Sequence, residues 1–569
     1  MSYWKLAANA AWAGVYATFA MACLVVLLNG VPPARSSGME LARAMASLAP
    51  VYVPVTALVL TTLFVFLRFF AVRRLSPRWQ SLKAIVWFAT TALFGCAALY
   101  ALNARSVGEL LPPDAREILR TDVTVMSACF LLSCALASMA QVKARGPARR
   151  LRILAAAVLM IPVLVLTTSV TGRSARSTPP ARPGRAAEVV ADAENMMATV
   201  GEGRLVLLAM DAASMDHLLP LVAAGELPSF EKMMRKGASS RLDTVHPCMP
   251  EVAWDSLLTG RPAWASGWRA TERHALPMGP DGLAILPRGL GMAWLRGWGY
   301  VTSAAQEGPA WSEGSIWEFS RHAGLSTVLA GWGSAPPSLH DAGRVAGRLQ
   351  RILGEAEGTV AHDAGALDAL RDAVALDMAV RDEALEATKS VGHGPRLLAV
   401  RLRGLAEVTR RYLRYHAPAE FGEPASRAGG PLSRVVTGYY EFLDEILGEQ
   451  LDAAGETGFV MIVSAHGVEP IPMTDRIAAW VGARKAQEGI SGSWRRGPDG
   501  IFLLHGPGVQ AGVRPEEVDL LDVAPTAIYL MGLPIEPGMR GGLLRRVLRP
   551  EFLEGHPVHV VPGGSAKPL

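Results

Sequence analysis

The stretch Leu205–Ser214, LVLLAMDAAS, decides the fold. A short unbroken apolar run is what a strand buried on both faces requires, and this one ends in a carboxylate followed by small residues. Comparable runs recur at Ser326–Gly331, Arg396–Leu402, Gly458–Ser464 and Gly500–Leu504, with longer amphipathic stretches such as 341–390 between them. The alternation predicts an α/β fold, a mostly parallel sheet flanked by helices. Sites in such sheets form at the carboxyl ends of the strands, so Asp211 and Ser464-Ala465-His466-Gly467 mark where chemistry is to be sought.

Outward from this region the chain changes character. It has 569 residues, formal net charge +5, 50% hydrophobic and 19% charged residues, and a mean hydropathy of +0.23. These values exclude a disordered chain, a collagen-like chain and a small disulfide scaffold, and argue against a purely soluble enzyme. The apolar excess lies in five uncharged runs, 6–30, 44–67, 84–104, 123–142 and 153–172. Each is long enough to cross about 30 Å of hydrocarbon as a helix. No acid or base lies within them, so an ion pathway has little support.

The loops after the second and fourth runs carry Arg68, Arg73, Arg74, Arg78 and Lys83, then Lys143, Arg145, Arg149, Arg150 and Arg152, with no acid. The positive-inside rule places these loops and the N-terminus in the cytoplasm, and five crossings put the C-terminal part outside it. Arg173, Arg176, Arg182 and Arg185 pull the other way, but long domains translocate largely regardless of charge. Residues 173–200, rich in Pro, Ser and Ala, read as a linker. Cys23, Cys96, Cys129 and Cys134 fall in the runs and Cys248 is alone in the C-terminal part, which excludes an internal disulfide there.

Seven further segments follow Leu205–Ser214 in order: Pro228–Gly237 (PSFEKMMRKG), Trp254–Gly260 (WDSLLTG), Ile316–Gly333, Val400–Pro418 (VRLRGLAEVTRRYLRYHAP), Ile462–Gly467 (IVSAHG), Gly500–Gly508 and Leu521–Pro534 (LDVAPTAIYLMGLP). Over about 203–545 they resemble the alkaline phosphatase superfamily, and most of all its type I phosphodiesterase/nucleotide pyrophosphatase branch. The expected architecture is a five-helix transmembrane domain over 1–172, the linker 173–200, and an extracytoplasmic alkaline-phosphatase-like domain over 201–569.

The resemblance implies two zinc-like divalent metals held by Asp and His, activating a Ser or Thr nucleophile. Asp211 matches the first ligand and His466 another. The remaining positions depart from the pattern. Pro250 stands at the nucleophile, with Met249 and Glu251 beside it; Ala406 and Arg410 stand at the D-x-x-x-H pair, Ala465 at the Asp of S-D-H-G, and Trp494 at the last His. Two ligands fall short of what zinc needs. The expectation is a pseudoenzyme with no metal cofactor and no catalytic residue. The competing reading is an active phosphodiesterase, phosphatase or lipid head-group phosphotransferase with relocated ligands drawn from His246, His416, His505, Asp243 and Glu407.

Without a metal, Asp211 needs another partner. One expectation is that Arg410 supplies it while Trp494 fills the metal volume; the other is that Arg410 faces solvent beside Arg411 and Arg414. The expected partners are the bilayer of an inner membrane, an active paralogue or cell-envelope proteins, and an anionic or phosphorylated ligand; nucleic acid is not expected.

Overall fold

The computed structural model describes residues 2–30, 37–66, 82–142, 158, 160–170, 203–266, 268–280, 282–305, 314–333, 342–354, 364–390, 395–422, 431–473 and 489–560. The linker 173–200 and most of the basic loop residues lie outside them. The chain forms two compact units. The first comprises Met1–Pro180, Arg269–Gln306 and Gly482–Arg484; the second holds the remainder.

In the first unit the apolar runs become α1 (Ser2–Asn29), α2 (Ser37–Phe66), α3 (Leu82–Val107), α4 (Pro113–Val142) and α5 (Met160–Val170). Among the described residues three helices are long and apolar enough to cross a membrane: Ala10–Asn29, Gly38–Leu63 and Pro113–Ala135. The described part of the fifth run gives the shorter apolar helix α5. Ala20–Leu28 of α1 are buried without a break, so this stretch is enclosed by its neighbours. Leu58, Val59, Leu63 and Phe66 of α2, Phe94 of α3, Leu131 of α4 and Leu164 of α5 are exposed.

Polar contacts tie the helices together. Tyr100 Oη donates to Ala20 O at 3.0 Å, and Thr90 and Ser133 share a hydrogen bond of 2.6 Å. Asp122, one residue before the fourth run, is buried and accepts from Ser169 Oγ at 2.7 Å. The span Pro113–Ala135 therefore begins before that run and takes in Asp122, with Asp114, Arg116, Glu117 and Arg120, all of which the run itself excludes.

Arg269–Gln306 carries strands β3 (Glu272–Ala275) and β4 (Thr302–Ala305), paired antiparallel, and the short helix α6 (Met292–Gly297). It belongs to the helical unit.

The second unit is built on a seven-stranded sheet ordered β11-β2-β10-β7-β1-β6-β5. The strands are β1 (Arg204–Met210), β2 (Ala238–Asp243), β5 (Thr327–Ala330), β6 (Leu397–Leu402), β7 (Gly458–Ser464), β10 (Gly500–His505) and β11 (Val518–Asp519). Only β10 runs antiparallel to its neighbours, so the sheet is mostly parallel, as the alternation predicts. The short pair β8 (Glu469–Pro470) and β9 (Gly492–Ser493) lies outside it.

Successive strand residues face opposite sides, and both sides are dry. Val206, Leu208 and Met210 join one apolar cluster, with α7 (Pro228–Lys236), α8 (Ala342–Leu353), α9 (Ala364–Ser390) and α10 (Arg434–Ala454). Leu205, Leu207 and Ala209 join the other, with α11 (Pro250–Thr259), α12 (Ile316–His322) and α13 (Val523–Leu530). Two-sided burial is why these strands read as unbroken apolar runs. The edge strands β2 and β11 read less clearly, because ASSRLD is mostly polar and VD is too short to show a period.

Candidate functional site

The candidate site lies where β1 and β6 end side by side. The strands pair in parallel with Ala209 opposite Arg401, and Asp211 N–H donates to Leu402 O at 2.9 Å. Arg401 occupies an odd position of β6, on the face shared by Leu397 and Ala399 and by Ala209 of β1. That register puts its guanidinium against the Asp211 carboxylate. Arg401 Nε donates to Asp211 Oδ1 at 3.1 Å and Nη2 to Oδ2 at 3.0 Å, a bidentate fork. Nη1 and Nη2 also reach the two oxygens of Glu251 at 3.3 and 3.4 Å.

The guanidinium is walled by aromatics. Its Cζ lies 5.2 Å from the ring of Trp254 and 5.3 Å from that of Trp332, and these rings meet edge-on at 5.7 Å. Arg401 is 2% exposed and Asp211 7%. Burial works to lower the Arg401 pKa, but the Asp211 and Glu251 carboxylates outweigh it and hold the guanidinium above its ordinary value.

Asp211 is followed by Ala212 at φ 70°, a left-handed conformation that L-residues avoid. Ser214 then caps the helix Met215–Ala223 by accepting from Asp216 N–H at 3.2 Å. Trp254 lies on α11, whose first helical turn begins with Pro250. A proline fits there because the lost N–H has no intrahelical partner. The turn that would carry a nucleophile thus presents a proline and, one residue on, Glu251 turned to Arg401.

His466 is buried at the end of β7. Its Nδ1 lies 3.0 Å from Gly467 O, to which it donates, and Nε2 is buried without a hydrogen-bond partner. Burial pushes the imidazole pKa below its ordinary value, which keeps the ring neutral near pH 7. The Trp494 ring packs 6.0 Å away.

Arg410 lies on α14 (Gly404–His416), with Nη1 3.5 Å from Glu407 Oε2 and Cζ 4.4 Å from the Trp494 ring. The expected pairing of Arg410 with Asp211 is therefore corrected: the arginine on Asp211 is Arg401. A strand residue in register with β1 is aimed at Asp211, whereas Arg410 is turned onto Glu407 and Trp494. Ala406 is half-buried beside the small cluster of Ala212, Leu413 and Val468, and Ala465 is fully buried in the apolar cluster under α11.

These residues do not fit a two-metal centre. Both Asp211 oxygens are engaged by a fixed cation, and Ala406, Ala465 and Pro250 offer no side-chain donor. Among the described residues no three His, Cys, Asp or Glu side chains converge as a metal-holding group. The residues considered for relocation form no single group: His416 packs on His217 at 5.2 Å, Glu407 accepts from Arg411 Nε at 2.6 Å, and His246 lies close enough to Asp243 to act on its carboxyl. Asp243 and His505 lie at opposite ends of the antiparallel pair β2–β10.

Residues 294–518 match the type I phosphodiesterase/nucleotide pyrophosphatase family. The match covers less than half of the chain and contains Arg401, Ala406, Arg410, Ala465, His466 and Trp494, while Asp211 and Pro250 precede it. No curated protein sequence matches. Among solved structures, murine ectonucleotide pyrophosphatase/phosphodiesterase 5 is 13% identical, with 61% of this chain and 100% of that chain covered and a TM-score of 0.36. An inactive form of the murine protein in complex with AMP is 12% identical, with the same coverage and a TM-score of 0.35. The human protein is 14% identical, covering 61% and 99%, with a TM-score of 0.33. Likenesses of this size carry no residue roles across.

The sequence reading missed Arg401, and it named Glu251 only as a neighbour of Pro250, not as a partner of that arginine. The signal for the first was present: a single arginine inside the apolar strand Leu397–Leu402, LLAVRL, must find a carboxylate or a water path.

Proposed function

We propose that this chain is a membrane-anchored, non-catalytic homologue of the type I phosphodiesterases, acting as a scaffold or regulator in the cell envelope. The observation that carries the reading is the bidentate Arg401–Asp211 pair. A guanidinium cannot be deprotonated at any physiological pH, so it is a permanent counter-ion where the family binds an exchangeable one. Pro250 has no hydroxyl to attack with, and Glu251 in the same turn is turned to the same arginine.

At this centre the Arg401 donors are taken up by two protein carboxylates, which favours scaffolding over phosphate binding. The neighbouring Arg403 guanidinium acts on the same two carboxylates, which leaves the cluster close to charge balance with no free donor fork for a phosphate. Anchoring draws on the three long apolar helices and on exposed Leu58, Leu63, Phe66, Phe94 and Leu131, side chains suited to lipid and not to water. The multi-pass arrangement with five crossings, an N-terminus in the cytoplasm and a C-terminal domain outside the inner membrane rests on the basic loops.

The test is metal and turnover on the full chain in detergent. After zinc loading and gel filtration, bound divalent metal is expected well below one per chain, with no hydrolysis of an activated aryl phosphodiester. Near two metals per chain with turnover would overturn the proposal and restore the active reading with relocated ligands, for which His466 Nε2 is the first ligand to test.

A further inference from the structure

Arg269–Gln306 leaves the α/β unit and folds with the helices, and its attachment is specific. Asn29, the last residue of α1, pairs reciprocally with Ile285: Nδ2 donates to Ile285 O at 2.7 Å and Oδ1 accepts from Ile285 N–H at 2.8 Å. Asn103, in the last turns of α3, does the same with Arg288, at 2.8 and 2.7 Å. Two side-chain amides thus act as short strand partners for one backbone segment. In the third turn of α2, Ser47 donates to Pro277 O, and Tyr300 Oη donates to Ser47 O. Arg269, 5% exposed, donates to Leu28 O at 3.3 Å. Gly289 approaches so closely that a Cβ there would lie 3.1 Å from Leu99 of α3.

All these anchors lie at one end of the bundle, where α1 and α3 finish and α2 begins. What the insertion leaves uncovered there is apolar. Leu290 is 48% exposed, Trp294 45% and Trp298 74%, and the two indoles lie 6.2 Å apart on one side of α6. Below them Met292 and Leu295 are buried. The exposed band continues onto α3, where Leu102 lies within packing distance of Gly289 and is itself exposed. Indoles combine a large apolar body with one N–H donor and concentrate where hydrocarbon meets head groups.

We infer that the 269–306 insertion is an interfacial collar whose Leu290, Trp294 and Trp298 sit in the lipid head-group layer, continuous with the lipid-facing flank of α3. The inference rests on the membrane reading of the helices. Bilayer lipid is the occupant because the band runs without a break from the insertion onto that flank. The collar fixes the depth at which the helical unit sits.

The experiment keeps the two readings apart. Single spin labels are placed by Trp298→Cys, Leu58→Cys and Glu456→Cys in the full chain, reconstituted in phosphatidylcholine vesicles, with identically treated wild-type chain subtracted for native thiols. Collision rates with oxygen and with a water-soluble nickel chelate report depth. The Leu58 label is expected in hydrocarbon, the Glu456 label in water, and the Trp298 label between them, its oxygen-to-nickel ratio several-fold above that at 456. A water-like ratio at 298 with a hydrocarbon ratio at 58 overturns the collar and leaves the membrane reading intact. A motionally restricted, water-like signal at 298 identifies a protein partner or second copy as occupant and also overturns it. A water-like ratio at 58 overturns both.

Discussion

Asp211 and Asp377 are two buried carboxylates served by the same short segment, residues 401–404, and they are satisfied by opposite means. Asp211 is forked by the Arg401 guanidinium. Asp377, in the middle of α9, receives only dipoles: Arg403 N–H and Gly404 N–H, each at 3.0 Å, and Tyr439 Oη at 2.8 Å. Arg401 therefore supplies a charge, which binds one carboxylate as an ion, whereas the start of α14 supplies helix N-terminal donors, which hold the other by hydrogen bonding alone. For Asp377 burial outweighs these donors and pushes its carboxyl up to about 6 from 3.8.

The largest effect that breaks this comparison is removal of the charge. Arg401→Ala strands Asp211 as a buried, uncompensated carboxylate and is expected to cost about 3–5 kcal/mol, read from the denaturant midpoint of the full chain. Arg401→Ala with Asp211→Ala is expected to cost less than the sum of the single changes, because the second substitution removes the stranded charge. Additive losses would show that the fork carries no coupling.

The next effect is a pH dependence at the dipole-held site. The folded state binds the Asp377 proton more tightly than the unfolded chain. Its contribution to stability is therefore greatest below about pH 4 and declines by about 3 kcal/mol as pH rises to about 6. Asp377→Asn is expected to flatten that decline in unfolding experiments between pH 4 and 7. Asp255, also pushed up to about 6 by burial, retains part of the slope. An unchanged slope in the Asn variant would assign the whole dependence elsewhere.

Sterics sharpen the same contrast. A Cβ on Gly404 would fall 1.7 Å from Tyr439 Oη and 2.8 Å from an Asp377 oxygen. Gly404→Ala must displace the tyrosine and loosen the carboxylate's donors, an overpacking loss of about 1–3 kcal/mol. It should leave the Arg401 coupling measured by the double substitution intact; a changed coupling would mean that the two centres form a single network.

The fold was legible because five sheet strands are apolar enough to announce themselves, and the order of the landmark segments did the rest. The edge strands were not, since polar or very short segments such as Ala238–Asp243 and Val518–Asp519 join the sheet through tertiary pairing. At the site, the loss of ligands at Ala406, Ala465 and Pro250 could be read directly, because the residue types alone remove the donors. The partner of Asp211 could not, because choosing between Arg401 and Arg410 requires the register of β1 against β6, and that register is set by packing across both faces of the sheet. The insertion was invisible for the same reason: Asn29 and Asn103 reach partners at Ile285 and Arg288, separations that no local pattern encodes.

The smallest effect concerns how Asp211 is aimed. Ala212 adopts φ 70°, where its Cβ crowds the following carbonyl, at a cost of about 1–2 kcal/mol relative to a residue without one. The conformation survives because it turns the chain out of β1, where Asp211 meets Arg401, toward the Ser214-capped helix, and because Ala212 packs against Leu413 and Val468. Ala212→Gly relieves the crowding and loses one buried methyl, worth about 0.8 kcal/mol. The balance predicts a change within about 1 kcal/mol, with the Arg401–Asp211 coupling preserved. A larger destabilisation would show that the methyl, not the backbone turn, holds Asp211 in place, and that the packing of Leu413 and Val468 is what aims the carboxylate at its arginine.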